Sequence, residues 1–267
     1  MAEPPEDDDL TRTRTGPSLG VALMTIAETA RVCAPTVVEG ALGRLRRETA
    51  DARLDEWCRV AAWLADMRIG VSGTEHIDPA QTYVVMSNHQ SNYDIFTMYF
   101  AYPATLRMVA KIEMRRIPLL GRAMEAAEFI FVDRRDNQRA RESLQIARDL
   151  MESGVSVWIA PEGTRSRTGH LGRFKKGGFM LALQAGVPIL PATIRGTRHV
   201  QPIKQLAVHR HQEVTIQFHA PIDAPAYGLE RRDELMNDVR AAIAAGLPAE
   251  LRQPSESSVS ASPVETG

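Results

Sequence analysis

The chain has 267 residues, which is enough to bury one sizeable core together with a small second unit. Its hydrophobic fraction of 44% and charged fraction of 24% are ordinary for a soluble globular protein. A formal net charge of −1 gives no reason to expect nucleic acid as a partner, and the two cysteines fit neither a metal site nor a disulfide framework, as is usual in a reducing compartment.

Both ends of the chain are polar and are predicted to be disordered. Residues 1–18 are acidic and poor in large apolar side chains, and residues 248–267 are rich in Ser, Pro and Glu. An acidic start also differs from the basic start of a signal peptide. The most apolar early stretch, residues 19–38, is interrupted by Glu28 and Arg31, so we predict no transmembrane span and expect any membrane contact to be peripheral.

Residues 19–70 are predicted to form an N-terminal helical pair. In the second helical pattern, Leu54, Trp57 and Leu64 belong to a broad apolar face opposite a polar remainder. We expect most of this face to pack beside the main domain, and an exposed part of the pair to dock on a membrane.

Residues 71–247 are predicted to form a main domain of the α/β class, because short apolar runs alternate with helical patterns. The predicted strands cover residues 82–86, 107–110, 129–132, 155–159, 189–194 and 214–218. The predicted helices cover residues 95–101, 138–152, 178–184 and 230–245. Ligands bind such sheets at the carboxyl ends of the strands, so residues that follow a strand are the first candidates for a site.

The loop Ser-Asn-His-Gln-Ser-Asn-Tyr-Asp, residues 87–94, joins the first of these strands to the next helix. Its pattern puts His89 at the carboxyl end of the strand and Asp94 in the first turn of the helix. A neutral imidazole can take a proton from a hydroxyl group, but its other ring nitrogen needs a partner that fixes the tautomer. A turn between the two residues could bring the Asp94 carboxylate to that nitrogen. The alternative is that Asp94 only caps the helix and His89 is an ordinary loop histidine.

Basic residues follow two further strands. Lys111 follows the strand at 107–110, and Arg134 follows the strand at 129–132. Since a planar guanidinium group can make two charge-assisted hydrogen bonds to phosphate, Arg134 is a candidate phosphate ligand. For Arg135, Arg139 and Arg141, which precede or lie on a predicted helix, we favour the alternative, a solvated basic face.

The strand at 155–159 runs into Ala160, Pro161 and the sequence Glu-Gly-Thr-Arg, residues 162–165. Gly163 would let a ligand approach the backbone closely, Thr164 and Arg165 could hold phosphate oxygens, and Glu162 could orient the arginines. Lys175, further along, would add to an anion-attracting field. The two prolines in residues 187–191 predict an edge or irregular strand there.

Taken in this order, these segments resemble the glycerolipid acyltransferase family, typified by the 1-acylglycerol-3-phosphate acyltransferases. His89 and Asp94 match the family's motif of histidine, four residues and aspartate. Residues 129–134 match its second motif, 162–165 its third and 187–191 its fourth. An ordered set of four motifs is far more specific than any one of them.

The resemblance implies a mixed, mainly parallel sheet flanked by helices and often preceded by a helical pair. It implies transfer of a fatty acyl group from acyl-CoA or acyl-carrier protein to the free hydroxyl of lysophosphatidic acid, at the cytoplasmic face of the membrane. His89 would be the general base and Asp94 would orient it. The residues expected to bind the acceptor's phosphate or to shape that site are Arg134, Glu162, Gly163, Thr164, Arg165, Lys111 and Lys175. No metal ion or resident cofactor is implied, because the thioester donor is a co-substrate.

Two positions depart from the family pattern. Glu128 stands where a small residue usually precedes the second motif, and a carboxylate near a phosphate-binding arginine would weaken anion binding. Ala160 replaces the usual aromatic or larger apolar residue before Pro161.

Three alternatives remain open from the sequence. The acceptor could be another lyso-lipid, such as a lyso-ornithine lipid. The protein could be a metal-dependent phosphohydrolase using His89, Asp94 and Glu162, although its other histidines are scattered. It could also be a peripheral lipid-binding protein without activity, although neither His89 nor Asp94 is needed merely to bind an anionic lipid.

Overall fold

The computed structural model describes residues 16–133 and 135–252. Most of the two ends predicted to be disordered therefore lies outside the described residues. Of the part that is described, Ser18 pairs with Val208 in an isolated bridge, and Ala249–Leu251 forms a short 3-10 turn.

The N-terminal helical pair is present as α1 (Leu19–Ala41) and α2 (Arg47–Leu64). Ser18 begins α1 by accepting a hydrogen bond from the backbone N–H of Val21, as an N-cap residue should. The two helices pack against each other through buried small residues such as Cys33 and Cys58, and the Trp57 indole donates to the Thr29 hydroxyl at 2.9 Å.

Helix α1 is long and apolar enough to cross a bilayer, judged by its length and composition. The prediction that the chain has no transmembrane span therefore stays a prediction. The two charged residues that interrupt the apolar sequence of α1 are paired in the fold. Arg31 donates to both oxygens of Glu28 at 2.7 Å and to Glu56 of α2 at 2.8 Å.

Within the described residues, a single sheet of seven strands forms the centre of the main domain. The strands are β1 (Arg68–Ser72), β2 (Val84–Ser87), β3 (Leu106–Lys111), β4 (Ile130–Val132), β5 (Ser156–Ile159), β6 (Ile189–Arg195) and β7 (Glu213–Phe218). Their order across the sheet is β1-β7-β6-β2-β5-β3-β4. Neighbours run parallel except β6 and β7, which confirms the predicted mixed, mainly parallel sheet.

Helices cover both faces of this sheet. They are α3 (Tyr93–Ala101), α4 (Leu120–Ala126), α5 (Asn137–Glu152), α6 (Gly177–Ala185), α7 (Thr197–Val200) and α8 (Arg232–Ala245). Because side chains alternate along a strand, Val84 and Met86 face a core built with α5, α6 and α8. Val85 faces the opposite core, with Trp158 of β5 and Met98 of α3.

The structure corrects the prediction for the strand that carries the fourth motif. β6 lies inside the sheet between β7 and β2, and is not at an edge. Pro191 is tolerated there because it lies opposite the point where β7 has just ended, and its carbonyl still accepts from the His219 N–H at 2.9 Å. The N–H group that proline lacks would therefore point past the end of β7, beyond the hydrogen-bonded ladder between the two strands.

A buried ion pair joins the helical pair to the sheet. The Arg107 side chain of β3 is fully buried and donates to the Asp51 carboxylate of α2 at 2.5 Å. The other oxygen of Asp51 accepts from the Thr105 hydroxyl at 2.9 Å. A buried guanidinium is stable only with such a partner, so this pair sets where α2 sits on the sheet.

We expect Asp51→Ala to lower the free energy of unfolding by about 3–5 kcal/mol, because it leaves the Arg107 charge buried without its main partner. Asp55→Ala, on the same helix, is the matched control: its partner Arg59 is exposed, and the loss should stay under about 1 kcal/mol. Urea denaturation of both variants measures the difference. Equal losses would mean that Arg107 does not depend on Asp51.

Candidate active site

His89 and Asp94 form a hydrogen-bonded pair at the carboxyl end of β2. Nδ1 of His89 lies 2.7 Å from Oδ2 of Asp94, as the sequence predicted. An ionised carboxylate can only accept, so Nδ1 carries the hydrogen. The Asp94 side chain is fully buried whereas that of His89 is 22% exposed. Nε2 is therefore the nitrogen left to act as a base.

The Asp94 carboxylate also fixes the loop around it. Its Oδ2 accepts from the backbone N–H of Gln90 at 2.6 Å and of Ser91 at 2.9 Å, which belong to the loop before α3 and not to the first turn of the helix. Its Oδ1 accepts from the hydroxyl of Thr197 at 2.5 Å. Sequence reasoning missed Thr197; the only signal was a Gly-Thr pair directly after a strand that carries a motif.

The polar side chains beside the pair hold the ends of neighbouring strands together. The Asn88 side-chain amide donates to the Ile194 carbonyl at 2.7 Å and accepts from the Ile194 N–H at 2.8 Å, which extends β2 against β6. On the other side, the Trp158 indole of β5 donates to the Ser87 hydroxyl at 3.0 Å. The backbone that carries His89 is thus tied to both adjacent strands.

Glu162 is a buried carboxylate that binds backbone rather than arginine among the described residues. One oxygen accepts from the His89 N–H at 3.0 Å and the other from the Gly172 N–H at 2.7 Å. The prediction that Glu162 orients arginines is therefore corrected: it holds the His89 loop against its own loop. Burial raises the pKa of Glu162 to about 7, although these two hydrogen bonds oppose the shift.

The loop that follows β5 is closed by Arg240 of α8. Its guanidinium donates to the carbonyls of Gly172 at 2.5 Å and Leu171 at 2.9 Å, and it lies over the Phe174 ring at 5.3 Å. A Cβ at position 172 would lie 2.7 Å from Oε2 of Glu162, so any residue larger than glycine there would push this carboxyl group aside. The loop in turn donates from the Ser166 N–H to the His89 carbonyl at 2.7 Å.

A cleft of about 740 Å³ opens next to this loop, at the carboxyl ends of β3, β4 and β5. It brings together five of the predicted substrate-binding residues, namely Lys111, Lys175, Glu162, Gly163 and Thr164. Its interior is apolar, with Val109, Val132 and Leu181 among the lining residues. Ala160 also lines it, so the small residue at that position enlarges the cleft. An amphipathic ligand with an anionic end fits this combination.

Arg165, a further predicted ligand, is not among the residues that line the cleft. Arg165 donates to the Asn92 side chain at 2.9 Å, on the His89 side of the loop. Arg134 lies outside the described residues.

Glu128 is not among the residues that line the cleft. It precedes β4, at the amino end of the strand, and its carboxylate accepts two hydrogen bonds from Arg47 of α2, at 2.7 and 2.8 Å. Arg47 lowers the pKa of Glu128, so the carboxylate is charged and paired. The charge of Glu128 is thus paired with Arg47, and its effect on anion binding stays a prediction.

No group of three or more His, Cys, Asp or Glu side chains gathers within residues 16–133 and 135–252 in a way that could hold a metal ion. Of the scattered histidines, His211 pairs with Asp66, and His219 contacts the Thr193 hydroxyl at 2.8 Å. The described residues thus supply no ligand set for the metal-dependent alternative.

Comparison with known proteins gives consistent matches. Residues 68–195 match the family model described as Acyltransferase. The chain is 31% identical to the 1-acyl-sn-glycerol-3-phosphate acyltransferase of Borreliella burgdorferi, over 68% of this chain and 72% of that protein. It is 33% identical to the chloroplastic 1-acyl-sn-glycerol-3-phosphate acyltransferase LPAT1 of Arabidopsis thaliana, over 66% of this chain but 48% of that protein. The chain thus spans about half the length of several curated relatives.

A solved structure is also similar. The crystal structure of the 1-acyl-sn-glycerophosphate (LPA) acyltransferase from Thermotoga maritima superposes with a TM-score of 0.72 at 27% identity, covering 85% of this chain and 92% of that one. The match therefore extends over the helical pair as well as the sheet.

The raised pKa of Glu162 predicts a pH-dependent stability. Between its ordinary value of 4.5 and about 7, the folded chain keeps a proton that the unfolded chain releases, so the free energy of unfolding falls as pH rises through this window. Glu162→Gln cannot titrate. Relative to wild type, we expect it to gain up to roughly 3 kcal/mol between these two pH values.

Denaturant titrations of both proteins at the two ends of that window measure the effect. Glu75→Gln, at an exposed glutamate, controls for the loss of one negative charge. A difference between wild type and Glu162→Gln that does not change with pH would contradict the assignment of a raised pKa to this carboxyl group.

Proposed function

Because this chain belongs to the acyltransferase family, we propose that it transfers a fatty acyl group from a thioester donor to the free hydroxyl of lysophosphatidic acid. The observation that carries the proposal is the hydrogen-bonded pair of His89 and Asp94, next to a cleft with an apolar interior and basic residues. The similar proteins named as acyltransferases support the same reaction class.

In the proposed reaction, Nε2 of His89 removes the proton from the acceptor's hydroxyl as its oxygen attacks the thioester carbonyl. The Asp94 carboxylate stabilises the imidazolium that forms and keeps the ring in place. The carbon–sulfur bond then breaks, the ester is formed, and the leaving thiolate takes the proton from His89. Positioned base catalysis of this kind contributes about 10²–10⁴-fold.

The proposed acceptor site uses the basic residues and hydroxyl of the cleft. Lys111, Lys175 and Thr164 can hold the phosphate of lysophosphatidic acid, with Gly163 giving it access to the backbone. Arg165 and Arg134 are proposed as further phosphate ligands, Arg134 because of its place in the sequence directly after β4. Both acyl-CoA and acyl-carrier protein remain proposed donors.

We expect His89→Ala to lower acyl transfer at least about 100-fold, because it removes the general base. Thiol release and lipid product are measured together, with acyl-CoA or acyl-carrier protein as donor and a panel of lyso-lipids as acceptors. His76→Ala, a histidine on the turn after β1, is the matched control and should stay near wild type.

The acceptor panel separates the alternatives. Transfer to lysophosphatidic acid that is lost in His89→Ala supports the whole proposal. Transfer only to neutral or zwitterionic acceptors, including lyso-ornithine lipid, would keep the base and overturn the phosphate roles. No transfer from either donor to any acceptor would favour the lipid-binding alternative.

We also propose that the protein docks peripherally on the membrane through the helical pair. Several large apolar side chains of this pair are exposed: Leu19, Leu23, Met24, Ile26, Val38 and Trp63. A cluster of this kind is a recognised sign of a membrane or protein contact. Since α1 also packs on α2 and α4 through its other face, we propose that it lies on the bilayer and does not cross it.

We expect Leu23→Glu to reduce binding to anionic vesicles about tenfold or more, because it removes one large apolar side chain from the docking face and adds a like charge. Flotation with vesicles measures the bound fraction. Leu229→Glu, at an exposed leucine near α8, is the control and should bind normally. Resistance of the wild-type protein to extraction from membranes at alkaline pH would contradict peripheral docking.

A further inference from the structure

Thr197 is a buried hydroxyl residue in contact with the proposed catalytic pair. Its side chain is fully buried and donates to Oδ1 of Asp94, while Nδ1 of His89 donates to Oδ2 of the same carboxylate. We propose that Thr197 is a positioning residue that extends the pair to His89, Asp94 and Thr197. This inference rests on the proposed function, because it assigns a role within that reaction.

The direction of the hydrogen bonds defines what Thr197 does. Oδ2 of Asp94 accepts from His89, Gln90 and Ser91, so three donors already crowd that oxygen. Oδ1 accepts from Thr197, which comes from a segment far away in the sequence. Anchored at both oxygens, the carboxylate group cannot rotate about its bond to Cβ, and Oδ2 stays aligned with the imidazole. Without the Thr197 hydroxyl, only the donors to Oδ2 resist that rotation.

The fold places Thr197 there through a turn that needs glycine. Gly196 ends β6 with φ +89°, and a Cβ at this position would lie 2.1 Å from the Glu213 carbonyl oxygen. The chain can therefore reverse sharply and begin α7 next to the loop after β2. Because β6 pairs directly with β2, the turn at Gly196 lies beside the loop that carries His89.

A second contact from α7 supports a positioning role. The Ser91 hydroxyl donates to the Gln201 carbonyl at 2.9 Å, and the Asn92 side chain donates to that of Gln201 at 3.1 Å. The segment from Thr197 to Gln201 thus contacts the carboxylate of Asp94 and the side chains of Ser91 and Asn92 beside it. Thr197 itself is fully buried, so its effect on the reaction must pass through Asp94.

The experiment compares Thr197→Val, which keeps the shape and removes the hydroxyl, with Thr197→Ser, which keeps the hydroxyl. We expect Thr197→Val to lower kcat about 10- to 100-fold with little change in KM, by analogy with the loss of a hydrogen-bond partner that orients a metal-binding histidine or carboxylate. Thr197→Ser should recover kcat to within about threefold of wild type. Equal kcat for Thr197→Val and wild type, or loss in both variants, would overturn the proposal.

A double-mutant comparison tests whether the effect passes through Asp94. In the Asp94→Asn background, Thr197→Val should change kcat less than about twofold, because the carboxylate that Thr197 orients is already gone. A full additional loss there would assign Thr197 some other role and overturn the proposal.

Nitrogen NMR of the His89 ring gives a readout that does not need activity, with His89→Ala used for assignment. We expect wild type to show the tautomer with hydrogen on Nδ1, and Thr197→Val to show a mixture. An unchanged tautomer in folded Thr197→Val would overturn the proposal. If wild type transfers no acyl group, the proposed function fails by itself, and this measurement still decides whether Thr197 positions the pair. Should Thr197→Val fail to fold, Thr197→Ala takes its place in the same comparison.

Discussion

The complete burial of the Asp94 carboxylate is the constraint from which the geometry of the site follows. An ionised carboxylate with no access to water is stable only when donors surround it, and here they come from the imidazole, the loop after β2 and the start of α7. Because these donors come from the segments that follow β2 and β6, they hold the ends of the two strands together. The fixed imidazole is a consequence, because one of the donors that Asp94 needs is Nδ1 of His89.

A second buried carboxylate holds His89 from the opposite direction. Asp94 binds the ring of His89 and Glu162 binds its backbone N–H, so both the side chain and the main chain of this residue are fixed. Burial disfavours the charged form of Glu162, and its pKa is therefore raised to about 7. Arg240 donates to the Leu171 carbonyl, which belongs to the same peptide unit as the Gly172 N–H that donates to Glu162, and its charge also interacts with Glu162 directly. The third motif therefore positions the first.

Local patterns in the sequence predicted contacts between residues that are close together in the chain, and missed contacts between residues that are far apart in the chain. The contact of His89 with Asp94 spans one turn, so the residue types and spacing were sufficient to predict it. Thr197 and Gly172 approach the site only after the chain has folded, and no short-range pattern reports this. β1 was missed because Arg-Ile-Gly-Val-Ser offers only two apolar residues. Pro191 led to the prediction of an edge strand. It is tolerated in an interior strand only because β7 ends opposite it, and the residues around Pro191 do not show where β7 ends.

The amino ends of β3 and β4 contact the helical pair, and their carboxyl ends line the cleft, so these two strands connect the helical pair to the cleft. At their amino ends, Arg107 and Glu128 bind Asp51 and Arg47 of α2. At their carboxyl ends, Lys111 and Val132 line the cleft. Since a paired strand is stiff, these ion pairs fix the angle between the exposed apolar face of the helices and the mouth of the cleft. If the helical pair docks on a bilayer as proposed, an acceptor lipid would meet the cleft in one orientation, because the sheet, and not a flexible linker, sets the geometry.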